Sequence, residues 1–281
     1  MGLFNKNKVL PLPPNRFIQF FTLIKENFIL LFYTSITHFI FSLPLIYILL
    51  STYIRYKNLL NNSATSDELF KTLLSGGLLI IPTMFVLSIA TVGMHNIIKK
   101  ISYNEAAQYK DFFIGIKENL LNVLRLLIID SIVSGIVVVN YGSYLFADIN
   151  VFFKLIILIS SIILFFIIKI IKPFYMTQSA IFDNNKINLL KNSFTFTMFK
   201  FVRNIGIFLL SNLLIILIFL LPEQMRVINM VILIILGGAY NILVSHLNSL
   251  SILDQFIDKE AYQTIYHKGL IDYYKKEDKN E

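Results

Sequence analysis

The sequence predicts an all-α, polytopic membrane protein of about six transmembrane helices, and three observations carry that reading. Hydrophobic residues make up 56% of the chain and charged residues 15%, with a mean hydropathy of +0.69. That is more apolar surface than a soluble core of this length can hide. Six stretches, 28–53, 73–98, 121–146, 152–176, 204–221 and 227–247, each supply the roughly 20 apolar residues needed to cross a hydrocarbon core of about 30 Å. Lys and Arg are abundant in every second connection and sparse in those between, as the positive-inside rule requires of a multi-pass chain.

The basic side holds Lys6, Lys8, Arg16, Lys25, Lys99, Lys100, Lys110, Lys117, Lys169, Lys172, Lys186, Lys191, Lys200 and Arg203, then Lys259, Lys268, Lys275, Lys276 and Lys279. The other side has Arg55, Lys57, Lys71 and Arg226, with Lys154 near its rim. This asymmetry places both termini in the cytoplasm of a bacterial cell, in its cytoplasmic membrane; the Phe-, Ile-, Asn- and Lys-rich composition fits an AT-rich bacterial genome. The formal net charge of +8 then fixes orientation and attracts anionic lipid, so the bilayer is the expected partner and nucleic acid is not. No cleavable signal peptide is expected, because the first apolar run starts near Phe28, is too long and lacks a small-x-small exit.

Three regions follow: a cytoplasmic segment with an amphipathic helix over 1–27, a six-helix transmembrane domain over 28–250, and a cytoplasmic helix and tail over 251–281. Within them lies an internal repeat, since Phe20-Phe21-Thr22-Leu23-Ile24-Lys25-Glu26-Asn27 aligns without a gap to Phe112-Phe113-Ile114-Gly115-Ile116-Lys117-Glu118-Asn119. A weaker third copy begins at Leu189. The predicted unit is an amphipathic cytoplasmic helix followed by a transmembrane hairpin, used three times in parallel. In the second copy Phe112, Phe113, Ile116, Leu120 and Val123 share a face that can lie in the headgroup layer. Leu250, Leu253, Phe256 and Ile257 suggest another interfacial helix near the C-terminus, and the run Tyr273 to Lys279 reads as a solvated tail.

Several stretches resemble the YesL-like family of bacterial integral membrane proteins of unknown function. They are Phe41-Ser42-Leu43-Pro44-Leu45-Ile46, then Asp111-Phe112-Phe113 with Lys117 and Asn119, then Leu247-Asn248-Ser249 with Phe256-Ile257-Asp258-Lys259-Glu260 and Lys268-Gly269-Leu270. One departure is that Tyr47-Ile48-Leu49 stands where the family commonly has Thr-x-Gly after the Leu-Pro motif. The resemblance implies an accessory or regulatory role in carbohydrate import, with ABC transporter permease subunits as partners and no catalytic residues to carry over.

No phosphate-cradling glycine loop, His-Glu-x-x-His, serine elbow or paired carboxylate motif occurs, so the chain is read as a non-enzyme without a cofactor. The absence of Cys excludes disulfides and thiolate metal sites. Ionisable groups inside the spans are the sharper candidates, because they are costly there. His38 and Asp130 occupy equivalent positions under the repeat alignment, which predicts a shared polar centre at matching depth. Ordinary polar packing is the plainer reading of both. Such a centre supports the competing function, a small-solute transporter with a polar site between hairpins. Arg125 is expected to snorkel to headgroups. His95 and His246, beside Asn96 and Asn248, read as interfacial polar residues, two histidines lacking a third metal ligand. Pro44 and Pro82 free the carbonyls of Ile40 and Leu78 and are candidate kinks. Gly76-Gly77 and Gly237-Gly238 are expected to permit close helix packing.

The topology is open to direct test in this Cys-free chain. A single Cys at position 63 should react with an impermeant thiol reagent in intact cells, while Cys at 184 or 275 should stay protected until the cells are lysed. Labelling of 184 with protection of 63 contradicts the orientation.

Overall fold

A computed structural model describes residues 12–147, 149–182, 186–260 and 262–272. Asn184, Lys275, the first lysines and the Tyr273 to Lys279 tail lie outside the described residues. All the regular structure described is helical: α1 (Arg16–Asn61), α2 (Ser66–Ser102), α3 (Lys110–Phe146), α4 (Val151–Ile181), α5 (Lys186–Phe199), α6 (Phe201–Ser211), α7 (Leu213–Leu220), α8 (Glu223–Ile232) and α9 (Gly238–Leu253), the last two joined by a π-turn over Leu233–Gly237. Five helices, counting α8 to α9 as one, are long and apolar enough to cross a membrane. A pair formed by α5 and α6, bent by 95°, makes a sixth candidate. The chain is an all-α polytopic membrane protein.

Local chemistry sets the helix ends. The Thr65 hydroxyl accepts from Glu68 N while the Glu68 carboxylate accepts from Thr65 N, a reciprocal box that starts α2. Asp67 and Glu68 at that end, with Lys99 and Lys100 at the other, oppose the helix dipole. α1 begins at Asn15, whose side chain accepts from Ile18 N, and breaks helical geometry inside only at Asn27 (φ −113°, ψ 21°). That break falls where the amphipathic segment was expected to give way to the span. Pro44 and Pro82 both lie within continuous helix.

Other expectations change. The Phe112 to Val123 segment is not a separate surface helix: it forms the first turns of α3, and Phe112 and Val123 are buried in the protein. The reason is steric, since Gly93 of α2 lies where a Cβ would stand 2.7 Å from the Phe112 carbonyl, so α3 closes on α2 and covers Phe112, while Phe113 of the same expected face stays exposed. The 204–221 span is broken. Asn212 interrupts it with its amide donating to the Phe208 carbonyl, and Asn204 Nδ2 donates to the Thr197 carbonyl, capping the end of α5 at the bend. The interfacial helix expected over Leu250 to Ile257 is absent. α9 continues to Leu253 with both leucines buried, and Phe256 follows in a turn against Phe196 and Phe199.

The bundle is organised around α2 and α9. α2 lies between α1 and α3, α4 packs on α3 and α5, and α9 touches α1, α2, α4 and α6. The α2–α3 contact is the most extensive and turns on backbone approach: a Cβ on Gly135 would stand 2.6 Å from the Gly77 carbonyl. Gly76 faces Thr52 of α1, Gly238 faces the His38 ring, and Gly237 meets Leu233 of its own π-turn. Away from these contacts α4 turns Phe152, Phe153, Ile156 and Ile163 outward, as a lipid-facing helix should.

A second anchor ties the chain ends together. Arg16 Nε donates to Asp254 Oδ2 at 2.9 Å, with both side chains buried, and Arg16 Nη1 donates to the Lys268 carbonyl. Gln19 Nε2 donates to the Ser102 carbonyl at 2.7 Å and to that of Gly269. Gly269 has φ +84° and sits so close to Ser102 that no side chain fits. Equivalent residues of the two aligned segments share one bond, as Asn27 Nδ2 and Asn119 Nδ2 each donate to the carbonyl four residues earlier. Their surroundings differ, however: Phe20 meets Tyr240, and Phe112 meets Phe41.

Gly135→Leu should cost about 1–3 kcal/mol by forcing α2 and α3 apart. Gly206→Ala, at a site with nothing within 4 Å, should be neutral or mildly stabilising. Unfolding midpoints in detergent check both; equal effects contradict the backbone-approach account.

Candidate functional site

Asp130 lies on α3, 1% exposed, among apolar residues of the span. An ionised carboxylate there requires cations from the protein itself. Two arrive from α4, where Lys169 and Lys172 sit three residues apart and therefore share a face. Lys172 Nζ donates to Asp130 Oδ2 at 2.7 Å and to Ser88 Oγ of α2 at 3.0 Å. Lys169 Nζ lies 2.6 Å from Asp130 Oδ1, a close ion pair, and 5.1 Å from the Phe165 ring centre. The lysine side chains are only 16% and 12% exposed.

This corrects the expectation that both lysines belong to the cytoplasmic loop charge. Their position just before Pro173 resembles a basic helix end, but α4 continues to Ile181 and draws them inside. Pro173 also deprives the Lys169 carbonyl of its usual helical donor. Two lysines meet one carboxylate, so the centre carries one excess positive charge when both are protonated.

His38 is not the direct partner of Asp130. Its Nε2 lies 3.3 Å from Thr91 Oγ1, and the Thr91 hydroxyl donates to the Leu87 carbonyl, which leaves the imidazole as donor. Thr91 and Ser88 lie on adjoining turns of α2, so His38 and Asp130 reach the same stretch of that helix, Asp130 through Lys172. The π-turn stands beside His38, and just past it Ala239 N donates to Ser35 Oγ at 3.0 Å. Local π geometry often marks functional positions in helices.

His95 and His246 are core residues rather than headgroup-facing ones. Their rings pack edge to face at 5.7 Å where α2 meets α9, and His246 Nδ1 lies 3.0 Å from Thr177 Oγ1. Asn96 Nδ2 donates to the Asp111 carbonyl, and Asn248 Nδ2 donates to Asn204 Oδ1. No group of three or more His, Asp or Glu that could hold a metal occurs among the described residues. Arg125 is exposed on α3.

Beside Lys169 a crevice opens between α4, α6 and α9, lined on its polar side by Lys169, Asn204, Ser211, Ser245, Asn248 and Ser249. Sequence reasoning missed Lys169, Lys172, Ser88 and this crevice. The signal was available, because an acid inside one span calls for a cation inside another, and Lys169-x-x-Lys172 supplies two on one face. Comparison with family models, curated proteins and solved structures yields no match.

Asp130→Leu should strand two buried ammonium groups and cost about 3–5 kcal/mol. Replacing Asp130, Lys169 and Lys172 together with Leu should restore most of that loss, since no charge then remains buried. Denaturant unfolding in detergent measures both; losses that simply add contradict the cluster as a coupled unit.

Proposed function

We propose that this chain is a non-enzymatic small-solute transporter of the bacterial cytoplasmic membrane, with both termini inside and its polar site at Asp130, Lys169 and Lys172. The observation that carries the reading is the uneven cluster, two lysines for one aspartate, buried between α3 and α4. A purely structural ion pair needs one cation per carboxylate, and a second buried ammonium adds a desolvation cost that a binding role offsets. The adjoining crevice lets a solute group approach Lys169 from its open mouth, and the Lys and Arg asymmetry supports the orientation. The parallel repeat is part of the same proposal. It is supported by the shared asparagine bond in its first two copies, and the third copy has its entry helix turned at Lys200.

A second reading is the accessory role beside a carbohydrate ABC importer that the YesL-like resemblance implies. Phe17 and Phe21, 74% and 58% exposed at the start of α1 beside the Arg16–Asp254 clasp, favour a docking role for that end.

Purified protein in liposomes should give solute uptake that falls at least about 10-fold in Asp130→Asn, the loss expected where a charged hydrogen bond contributes 1.5 kcal/mol or more. Absence of flux for anionic, cationic and neutral solutes, with permease subunits recovered from native membranes, favours the accessory role instead.

A further inference from the structure

We infer that the crevice between α4, α6 and α9 binds a small oxyanion, a carboxylate or phosphate group, with Lys169 as its cationic anchor. The inference rests on the transport reading and names the chemical class of its solute.

Charge makes the first argument. Lys172 Nζ is held by Asp130 and Ser88, whereas Lys169 pairs with Asp130 Oδ1 and also lines the crevice. One carboxylate shared by two ammonium groups leaves a positive charge unbalanced, and no Asp or Glu lines the crevice. A second cation stands behind its wall, for Arg203 Nε donates to Asn248 Oδ1 at 3.0 Å. A cationic solute would meet Lys169 directly, and a neutral one would leave the excess charge in place.

The lining makes the second argument. Asn204, Ser211, Ser245, Asn248 and Ser249 are all more than nine-tenths buried, yet they surround free space within a membrane bundle. Asn248 Nδ2 donates to Asn204 Oδ1, which locks the amides together as a wall. The serine hydroxyls donate to carbonyls of their own helices, at Phe208, Asn241, Ile242 and Ser245. Those carbonyls belong to helical turns, so a hydroxyl can swing to a ligand without stripping the backbone of its ladder. Lys169 would therefore supply charge and the serines neutral donors, the combination that recognises an anionic oxygen. Pro173, Phe174 and Phe208 complete the walls, and the closed part of the crevice is only about 20 Å³, room for a single water or one ligand oxygen, so the rest of the oxyanion lies at the open mouth.

The test uses the full chain in nanodiscs of neutral phosphatidylcholine, titrated with acetate or inorganic phosphate against a bulky sulfonate at equal ionic strength. Wild type should show a saturable rise in unfolding midpoint with acetate or phosphate. Lys169→Gln should weaken that apparent affinity roughly 10- to 100-fold, as loss of a charged hydrogen bond predicts. Ser245→Ala with Ser249→Ala should weaken it a few-fold, about the worth of neutral bonds, and keeps the site testable if the lysine variant misfolds. Arg125→Gln, exposed on α3, should bind as wild type does. Stabilisation that depends on Lys169 but appears only in discs containing phosphatidylglycerol identifies the phosphate as a lipid's and still supports the site. No saturable effect in either disc, or equal effects with and without Lys169, overturns it. Flux without Lys169-dependent binding rejects the anion site and keeps transport, whereas binding without flux does the reverse.

Discussion

A carboxylate inside a hydrocarbon layer has no water to ionise into, and Asp130 imposes that constraint on its neighbours. To satisfy it, α4 brings Lys169 and Lys172 to one side of α3, and α2 brings Ser88 to Lys172. Three helices are thereby fixed in rotation relative to one another, because turning any of them by a third of a turn would carry its polar group out of reach. The apolar contacts around the centre, including Val92, Val123, Leu127 and Met176, can then close without ambiguity.

Backbone proximity makes this arrangement possible. Lys172 can bridge Asp130 of α3 and Ser88 of α2 only where those two helices are close, and the Gly77–Gly135 and Gly93–Phe112 approaches bring α2 and α3 together above and below. Farther along, the Arg16–Asp254 clasp gathers the start of α1, the end of α2 and the chain after α9 into one unit. The centre and the clasp share a logic: a buried charge is held by partners from distant parts of the chain, and removing one partner is worse than removing all.

The sequence made the spans legible because hydropathy over about 20 residues is a strong signal. It also exposed Asp130, since the one acid within the apolar stretch 121–146 stands out against Leu126, Leu127, Ile128 and Ile129. The partners of Asp130 were harder to see. Lys169 and Lys172 lie near the end of an apolar run, where positive residues ordinarily reach for headgroups, and nothing in the local pattern says that α4 continues for nine residues past Lys172. The repeat alignment offered His38 instead, by symmetry rather than by charge. The fate of Phe112 was hidden for a related reason: an amphipathic face looks the same whether lipid or a neighbouring helix covers it, and Gly93, which decides the matter, lies on another helix.

The π-turn at Leu233–Gly237 accommodates one residue more than an α-helical turn would hold. Each added residue advances an α-helix by about 100°, so the stripes on either side of the turn are out of phase. A single helical wheel drawn through Glu223 to Leu253 therefore mixes two faces that never coincide in space. α8 addresses the preceding hairpin through Asn229, which donates to the Leu214 carbonyl, while α9 turns Leu243, His246 and Ser249 into the core. The extra residue acts as a phase shifter, letting one membrane crossing serve two differently oriented neighbours, and the Ser35–Ala239 bond pins its setting beside His38.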